Sequence, residues 1–259
     1  LNSIPIPVPP LPEQQRIVGL LDEAFEGIAT AKANAEKNLQ NARALFESHL
    51  QAVFGQRGEG WAEKPLGELA TFRNGINFTK SSRGEAVKIL GVKDFQKHFM
   101  APLDGLDTVT TDGELPDSDL LKEGDILFVR SNGNLKLIGR SLLVGARTDR
   151  VTHSGFTIRA RLNGTAVAAK YLCYFLKSNR TRRTMIDSGI GTNIKSLNQT
   201  ILSSLAVPFP SRAEQGRIAD QLEDIDTETQ RLASLYQRKL SALDALKKSL
   251  LHHAFSGQL

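Results

Sequence analysis

The chain has 259 residues, 40% hydrophobic and 24% charged, enough for a domain with its own core plus further helices. Its one cysteine, Cys173, excludes an intrachain disulfide and suits a reducing, cytoplasmic setting; no run of about 18 apolar residues is present to span a membrane, and no signal peptide is visible. The net charge is +5, and residues 61–210 carry 21 Lys and Arg against 14 Asp and Glu, so the positive surplus sits wholly in the middle of the chain, as phosphate-binding proteins require.

Residues 1–12 hold Pro5, Pro7, Pro9, Pro10 and Pro12, which fix φ and keep the segment extended. The alternation of Ile4, Ile6 and Val8 fits the tail of something upstream, and a first residue of Leu1 fits a chain that begins inside a longer protein or has been processed. Residues 13–56 follow as one long helix. Ile17, Leu21, Ala24, Ile28, Ala31, Ala35, Ala42, Leu45 and Ala52 fall in a seven-residue frame of alternating spacings of three and four, interrupted at Asn38 and His49, the heptad stripe of a helix that packs on another helix. Glu13 lies in its first turn and Gly55 at its end, as helix termini favour. Gly58 and Gly60 then form a joint.

Residues 61–210 change to short mixed segments. Residues 65–72 read as a short helix or turn leading into a strand; residues 87–92, 125–130, 142–145, 156–162 and 205–209 read as strands. Residues 103–119 are acidic and turn-rich, a surface loop. Residues 166–183 read as a helix with Tyr171, Leu172, Phe175 and Leu176 inward and Lys177, Arg180, Arg182 and Arg183 at its far end; residues 196–202 read as a short helical turn. The expected class is α+β: a mixed α/β domain with a curved sheet and long loops, plus two long helices.

The second long helix occupies residues 211–259, with Ile218, Leu222, Ile225, Leu232, Leu243, Leu246 and Leu250 in the same frame as the first. It is a repeat of the first. Residues 6–54 and 207–255 match at a constant spacing of 201 positions without a gap: Pro9, Glu13, Gln14, Arg16, Ile17 and Leu21 recur as Pro210, Glu214, Gln215, Arg217, Ile218 and Leu222. Two copies of one element therefore bracket a different domain. The predicted pairing is an antiparallel coiled coil with the central domain at one end of it. By the same symmetry, residues 1–12 are the exit from an upstream copy of the central domain.

Catalytic motifs are missing. There is no GxxxxGK[ST] loop, no GxGxxG after a strand, no Asn-Pro-Pro-aromatic run, no HExxH and no paired-cysteine spacing. His49, His98, His153, His252 and His253 are scattered or on the long helices. No cofactor, metal site or catalytic residue is expected.

Several stretches together resemble the specificity subunit of type I restriction–modification systems. They are residues 10–17 (PLPEQQRI), 61–78 (WAEKPLGELATFRNGINF), 123–134 (EGDILFVRSNGN), 188–210 (SGIGTNIKSLNQTILSSLAVPFP), 208–222 (PFPSRAEQGRIADQL) and 252–259 (HHAFSGQL), in order over essentially the whole chain. The resemblance implies one target recognition domain that reads half of a split site in double-stranded DNA. It also implies flanking helices that act as a spacer and as a docking surface for methyltransferase (modification) subunits and, through them, restriction subunits. The subunit is itself non-catalytic. The family carries two such domains, so this chain is expected to be either part of a larger subunit or a half-subunit that forms a homodimer. A coiled-coil scaffold, and the recognition part of a fused restriction enzyme or methyltransferase, are the alternatives.

Reading DNA needs cations to hold phosphates and polar side chains on loops to reach base edges. Three Gly/Asn/Ser/Thr-rich basic loops fit. The candidates are Arg73, Asn77, Thr79, Lys80 and Arg83 in residues 73–83; Arg130, Ser131, Asn132, Asn134, Lys136 and Arg140 in residues 130–140; and Thr192, Asn193 and Lys195 in residues 189–195.

Overall fold

The computed structural model describes residues 8–56, 58–95, 99–102, 104–147, 149–187 and 196–259. In chain order the elements are α1 (Leu11–Gly55), β1 (Ala62–Pro65), α2 (Leu66–Leu69), β2 (Ala70–Asn74), β3 (Ala86–Leu90), β4 (Asp107–Thr110), β5 (Ile126–Val129), β6 (Ser141–Leu143), β7 (Val151–His153), β8 (Thr157–Leu162), α3 (Ala169–Lys177), α4 (Asn179–Asp187), α5 (Gln199–Ser203), β9 (Ala206–Phe209) and α6 (Arg212–Phe255). They divide into two compact units, Leu1–Ser48 with Glu223–Leu259, and His49–Leu222. The division falls inside the long helices, not at residues 56 and 211.

In the first unit α1 and α6 run antiparallel. Arg16 donates to the Leu259 carbonyl at 3.0 Å, Lys32 Nζ meets Asp244 Oδ1 at 2.6 Å, and Lys247 Nζ lies 4.9 Å from the centre of the Phe25 ring. As the position climbs along α1, the partner falls along α6. Ile28, Ala35, Leu39 and Ala42 are buried along one stripe of α1, while Ile17 and Leu21 are half-buried on it. On α6, Ile225, Leu232, Leu243 and Leu250 are half-buried. Thr229, a break in the apolar stripe, is buried with its hydroxyl donated to the Asp226 carbonyl at 3.0 Å, which satisfies it.

Two residues expected in the seam are not in it. Leu45 is 46% exposed and Leu246 48% exposed. A strict seven-residue frame places them inward, but an α-helix turns every 3.6 residues, so the buried stripe drifts across successive heptads. Beyond Ala35 it runs through Leu39, Ala42 and the half-buried Phe46. Ile218 and Leu222 are buried but belong to the second unit, on the first turns of α6.

The second unit is the α+β domain. Its strands form three sheets instead of one: β1-β9, β2-β8-β5-β6 and β4-β3-β7. All neighbours are antiparallel except β3 and β7. The single helix expected over residues 166–183 is two, because Ser178 closes α3 in an extended conformation and its hydroxyl caps the Thr181 amide of α4 at 3.4 Å. The loop expected over residues 103–119 contains β4, and β1 and β7 are further short strands.

β5 reads Ile-Leu-Phe-Val and all four residues are buried, so it is covered on both faces. Leu127 and Val129 join Leu90, Phe95, Leu142, Val144 and Val151 in a core cluster shared with the β4-β3-β7 sheet. Side chains alternate along a strand, so Ile126 and Phe128 point the other way. Six consecutive residues of α3, from Tyr171 to Leu176, are buried. The last turn of α1 packs there too: the Phe54 ring meets Tyr171 and Phe175 edge-on, with centres 5.5 and 5.4 Å apart.

Candidate nucleic-acid interface

The four-stranded sheet gathers the predicted loops at one of its ends. Because its strands alternate in direction, the end of β2 at Asn74, the end of β5 at Val129, the start of β6 at Ser141 and the start of β8 at Thr157 lie together. Residues 75–83 leave β2 there, and residues 130–140 connect β5 to β6 there. Backbone bonds lock these loops to a third, residues 154–156. Ile76 N donates to the His153 carbonyl at 2.8 Å, Gly155 N to Ile76 O at 2.7 Å, and Arg130 N to Phe156 O at 2.8 Å. Glycine is needed at position 75, where a Cβ would lie 2.2 Å from the Ser154 carbonyl oxygen; a Cβ on Gly155 would displace the Asn77 side chain, whose Oδ1 would lie 2.2 Å away.

Thr192, Asn193 and Lys195 lie outside the described residues, but the segment that follows them returns to the same end. Leu197 N donates to Arg130 O at 2.9 Å, Ser196 Oγ to Ser131 Oγ at 3.4 Å, and Gln199 Nε2 to Asn74 Oδ1 at 3.3 Å. Asn198 caps α5 by accepting the Ile201 amide at 2.8 Å.

The structure sorts the candidate side chains by what they already hold. Arg73 stands on β2 and is paired with Asp119. Arg83 turns its guanidinium onto the carbonyls of Lys80 and Ser82 at 3.2 and 3.0 Å, and Arg140 donates to the Lys136 and Phe95 carbonyls at 3.1 and 3.4 Å. Those three brace the loops. Thr79 shares its hydroxyl with Ser81 at 2.7 Å. Asn132 Oδ1 accepts the Asn134 amide at 2.8 Å, and Asn134 Oδ1 accepts the Lys136 amide at 3.0 Å. Both oxygens therefore shape the turn, which leaves the Nδ2 groups as donors for base acceptors such as guanine O6 or N7. Among the described residues Lys80, Arg130 and Lys136 form no ion pair, whereas Lys88, Lys93, Arg147, Arg150, Arg161 and Lys170 elsewhere in the unit are each matched to a carboxylate.

Sequence reasoning missed residues 154–156 and took Phe156 for the start of a strand. Phe156 is 62% exposed beside Arg130, an apolar ring on a loop that two neighbouring loops hold in place. The signal was Ser-Gly-Phe ahead of a strand, a turn that displays its aromatic. Polar and charged groups run along the sheet away from these loops, from His153 and Thr157 at the loop end through the buried Arg159 to Arg161 and Asp125 at the opposite end. Arg161 holds Asp125 by two bonds of 2.7 Å, Arg159 donates to the Ser118 carbonyl at 2.8 Å, and His153 Nδ1 lies 2.9 Å from Thr157 Oγ1. Burial, followed by the nearby Arg159, Arg73 and Arg161, lowers the His153 pKa to about 3, so the ring is neutral.

A family model described as the type I restriction modification DNA specificity domain matches residues 58–237. The chain belongs to that family. The match takes in the whole of the loop-bearing end of this specificity domain and the first half of α6. Among similar proteins, the type I restriction enzyme StySPI specificity subunit of Salmonella potsdam is 26% identical over 272 residues, and the EcoKI specificity subunit of Escherichia coli (strain K12) is 27% identical over 272 residues. Both alignments cover 100% of this chain and 58% of the relative, so the chain spans a little over half the length of these relatives. The fold is shared with a chain of the type I R-M system, at a TM-score of 0.80 and 19% identity, covering 98% of this chain and 62% of that one. It is also shared with the HsdS subunit from Thermoanaerobacter tengcongensis, at a TM-score of 0.62 and 19% identity, covering 98% of this chain and 60% of that one.

Among the described residues no helix of this specificity domain is long and apolar enough to cross a membrane.

Proposed function

We propose that this chain is the sequence-reading part of a type I restriction–modification specificity subunit, which binds double-stranded DNA and recognises one half of a bipartite site. The observation that carries the reading is the sorting of cations. Lys80, Arg130 and Lys136 stand without carboxylate partners on loops at one end of one sheet, whereas Lys88, Lys93, Arg147, Arg150, Arg161 and Lys170 are matched to carboxylates within the fold. Cations left over in this way attract phosphates, and they do so beside Asn132, Asn134 and Phe156, which offer donors and an apolar face to base edges.

The division of labour follows from the chemistry of each group. Lys80, Arg130 and Lys136 position the protein on the phosphates. The Nδ2 groups of Asn132 and Asn134 meet base acceptors, and Phe156 meets a thymine methyl. Asn77, Ser131, Thr192, Asn193 and Lys195 complete the loop set. The chain itself performs no reaction: methyltransferase subunits dock on it in the cytoplasm and carry the chemistry, with restriction subunits joining through them. The α1–α6 pair is the spacer between half-sites and part of the docking surface. Support comes from family membership and from the two relatives, which are specificity subunits.

Retardation of duplex DNA by the chain across a salt series tests the reading. Affinity should fall linearly on a log–log plot as salt rises. Absence of binding at low salt would remove the reading and leave a scaffold.

A further inference from the structure

α4 was not among the elements expected to touch DNA, and the loop set leaves it without a role. Its inner face is fixed. Thr181 and Met185 are buried, and Arg182 donates to the carbonyls of Lys136 and Ile138. A Cβ on Gly139 would lie 3.7 Å from both Arg182 Cγ and Met185 Cε, so α4 lies tightly along the 130–140 loop. Its outer face carries Arg180 and Arg183, both exposed, three residues apart and therefore side by side. Among the described residues neither forms an ion pair or a side-chain hydrogen bond.

We propose that the exposed face of α4 is a phosphate clamp, in which Arg180 and Arg183 hold the sugar-phosphate backbone of duplex DNA alongside the 130–140 loop. The proposal rests on the loop end being a DNA interface and extends that interface by one helix. Three physical points carry it. A guanidinium is a planar fork of N–H donors that can hold two phosphate oxygens at once. Arg180 and Arg183 sit on a helix anchored at Thr181, Arg182 and Met185, so binding DNA orders little more than the two side chains. They also continue the charge of Arg130 and Lys136, because Arg182 ties their helix to the Lys136 backbone. Arg182 is a positioning residue: it bonds the loop, not the DNA.

Phosphate contacts have a signature that base contacts lack. Each one removed flattens the salt dependence of binding and weakens all sequences alike. The experiment measures binding of the full chain to a labelled mixed-sequence duplex by fluorescence anisotropy across a salt series. It compares the parent with R180A/R183A, R180K/R183K and the control K64A/K122A. Lys64 and Lys122 are exposed and lie outside the interface. The expected result is a slope of log K against log salt that is shallower by about 1.8 in R180A/R183A, at ~0.9 per phosphate contact. R180K/R183K should keep most of the slope, and K64A/K122A should match the parent. A parent that binds with a steep slope while R180A/R183A binds identically overturns the clamp and leaves the loop-end interface standing. Equal flattening in K64A/K122A also overturns it, since the effect would then be diffuse charge. A parent that shows no salt-dependent binding overturns the interface and the clamp together.

Discussion

Gln215 is wholly buried and accepts the Ala168 amide at 2.8 Å while donating to the carbonyls of Ala166 and Pro210 at 2.9 Å each. Its counterpart in the repeat, Gln14, makes the equivalent of the last bond, donating to the Pro9 carbonyl at 2.7 Å, and is only half-buried. One residue type at equivalent positions thus performs one shared task and, in the second copy, an additional one. Gln215→Ala leaves buried backbone groups without partners and should cost about 3 kcal/mol. Gln14→Ala should cost less than about 1 kcal/mol. Urea denaturation of the two variants measures the difference, and equal losses would contradict the assignment.

His153 gives the loop end a pH dependence. Its pKa is lowered to about 3 by burial and by neighbouring arginines, against an ordinary value near 6.5 in the unfolded chain. Between those values the unfolded state binds a proton that the folded state refuses, so stability rises with pH there. The contribution is complete above pH ~6.5 and is lost as pH falls towards ~3, by up to about 1.4 kcal/mol per pH unit. His153→Gln should flatten stability against pH across that window. A variant as acid-sensitive as the parent would show that another group is responsible.

The drift of the apolar stripe separates two leucine-frame positions. Ile28 is buried and Leu45 is 46% exposed. Ile28→Lys should lower stability by several kcal/mol, since a charge is buried without a partner. Leu45→Lys should change it by no more than about 0.5 kcal/mol. Thermal melts of both variants decide whether the stripe follows Leu39 and Phe46, as here, or the strict heptad frame.

Much of this was legible in the residues. A gapless repeat announces paired helices because heptad spacing has one cheap solution, and Gly, Asn and basic residues clustered between β-rich runs announce exposed turns. What was hidden depended on long-range partners. Arg73 reads like any loop cation until Asp119 is brought against it, and nothing near Asn134 indicates that its oxygen is spent on Lys136. β1, β4 and β7 are three or four residues long and exist through their neighbours more than through their own propensity. The apolar face expected for residues 166–183 ends at Leu176, and the break that Ser178 makes by capping the Thr181 amide rests on a hydrogen bond the residue pattern did not single out.

The helix pair predicts a ruler. Lys32 and Asp244 face each other, so residues near Ala35 and Tyr236 lie at similar levels of the antiparallel pair. Deleting one heptad after each keeps the stripe in phase and shortens the pair by about 10 Å. At ~3.4 Å per base pair, the gap between half-sites should shrink by roughly three pairs with both half-sites unchanged. An active assembly whose gap does not move would leave the helices as docking surface alone.

The most decisive measurement is mapping of methylated sites in cells that carry the chain with its modification partner, before and after Asn132→Ala with Asn134→Ala. The side-chain oxygens of these residues hold the turn of the 130–140 loop, which leaves their Nδ2 groups as donors, and each removed base contact should relax discrimination by about 1–3 kcal/mol. The predicted result is that each half-site read by this chain loses preference at one or two positions, while the gap stays the same. An unchanged methylated sequence, with assembly and activity intact, would contradict the assignment of this loop end as the surface that reads DNA.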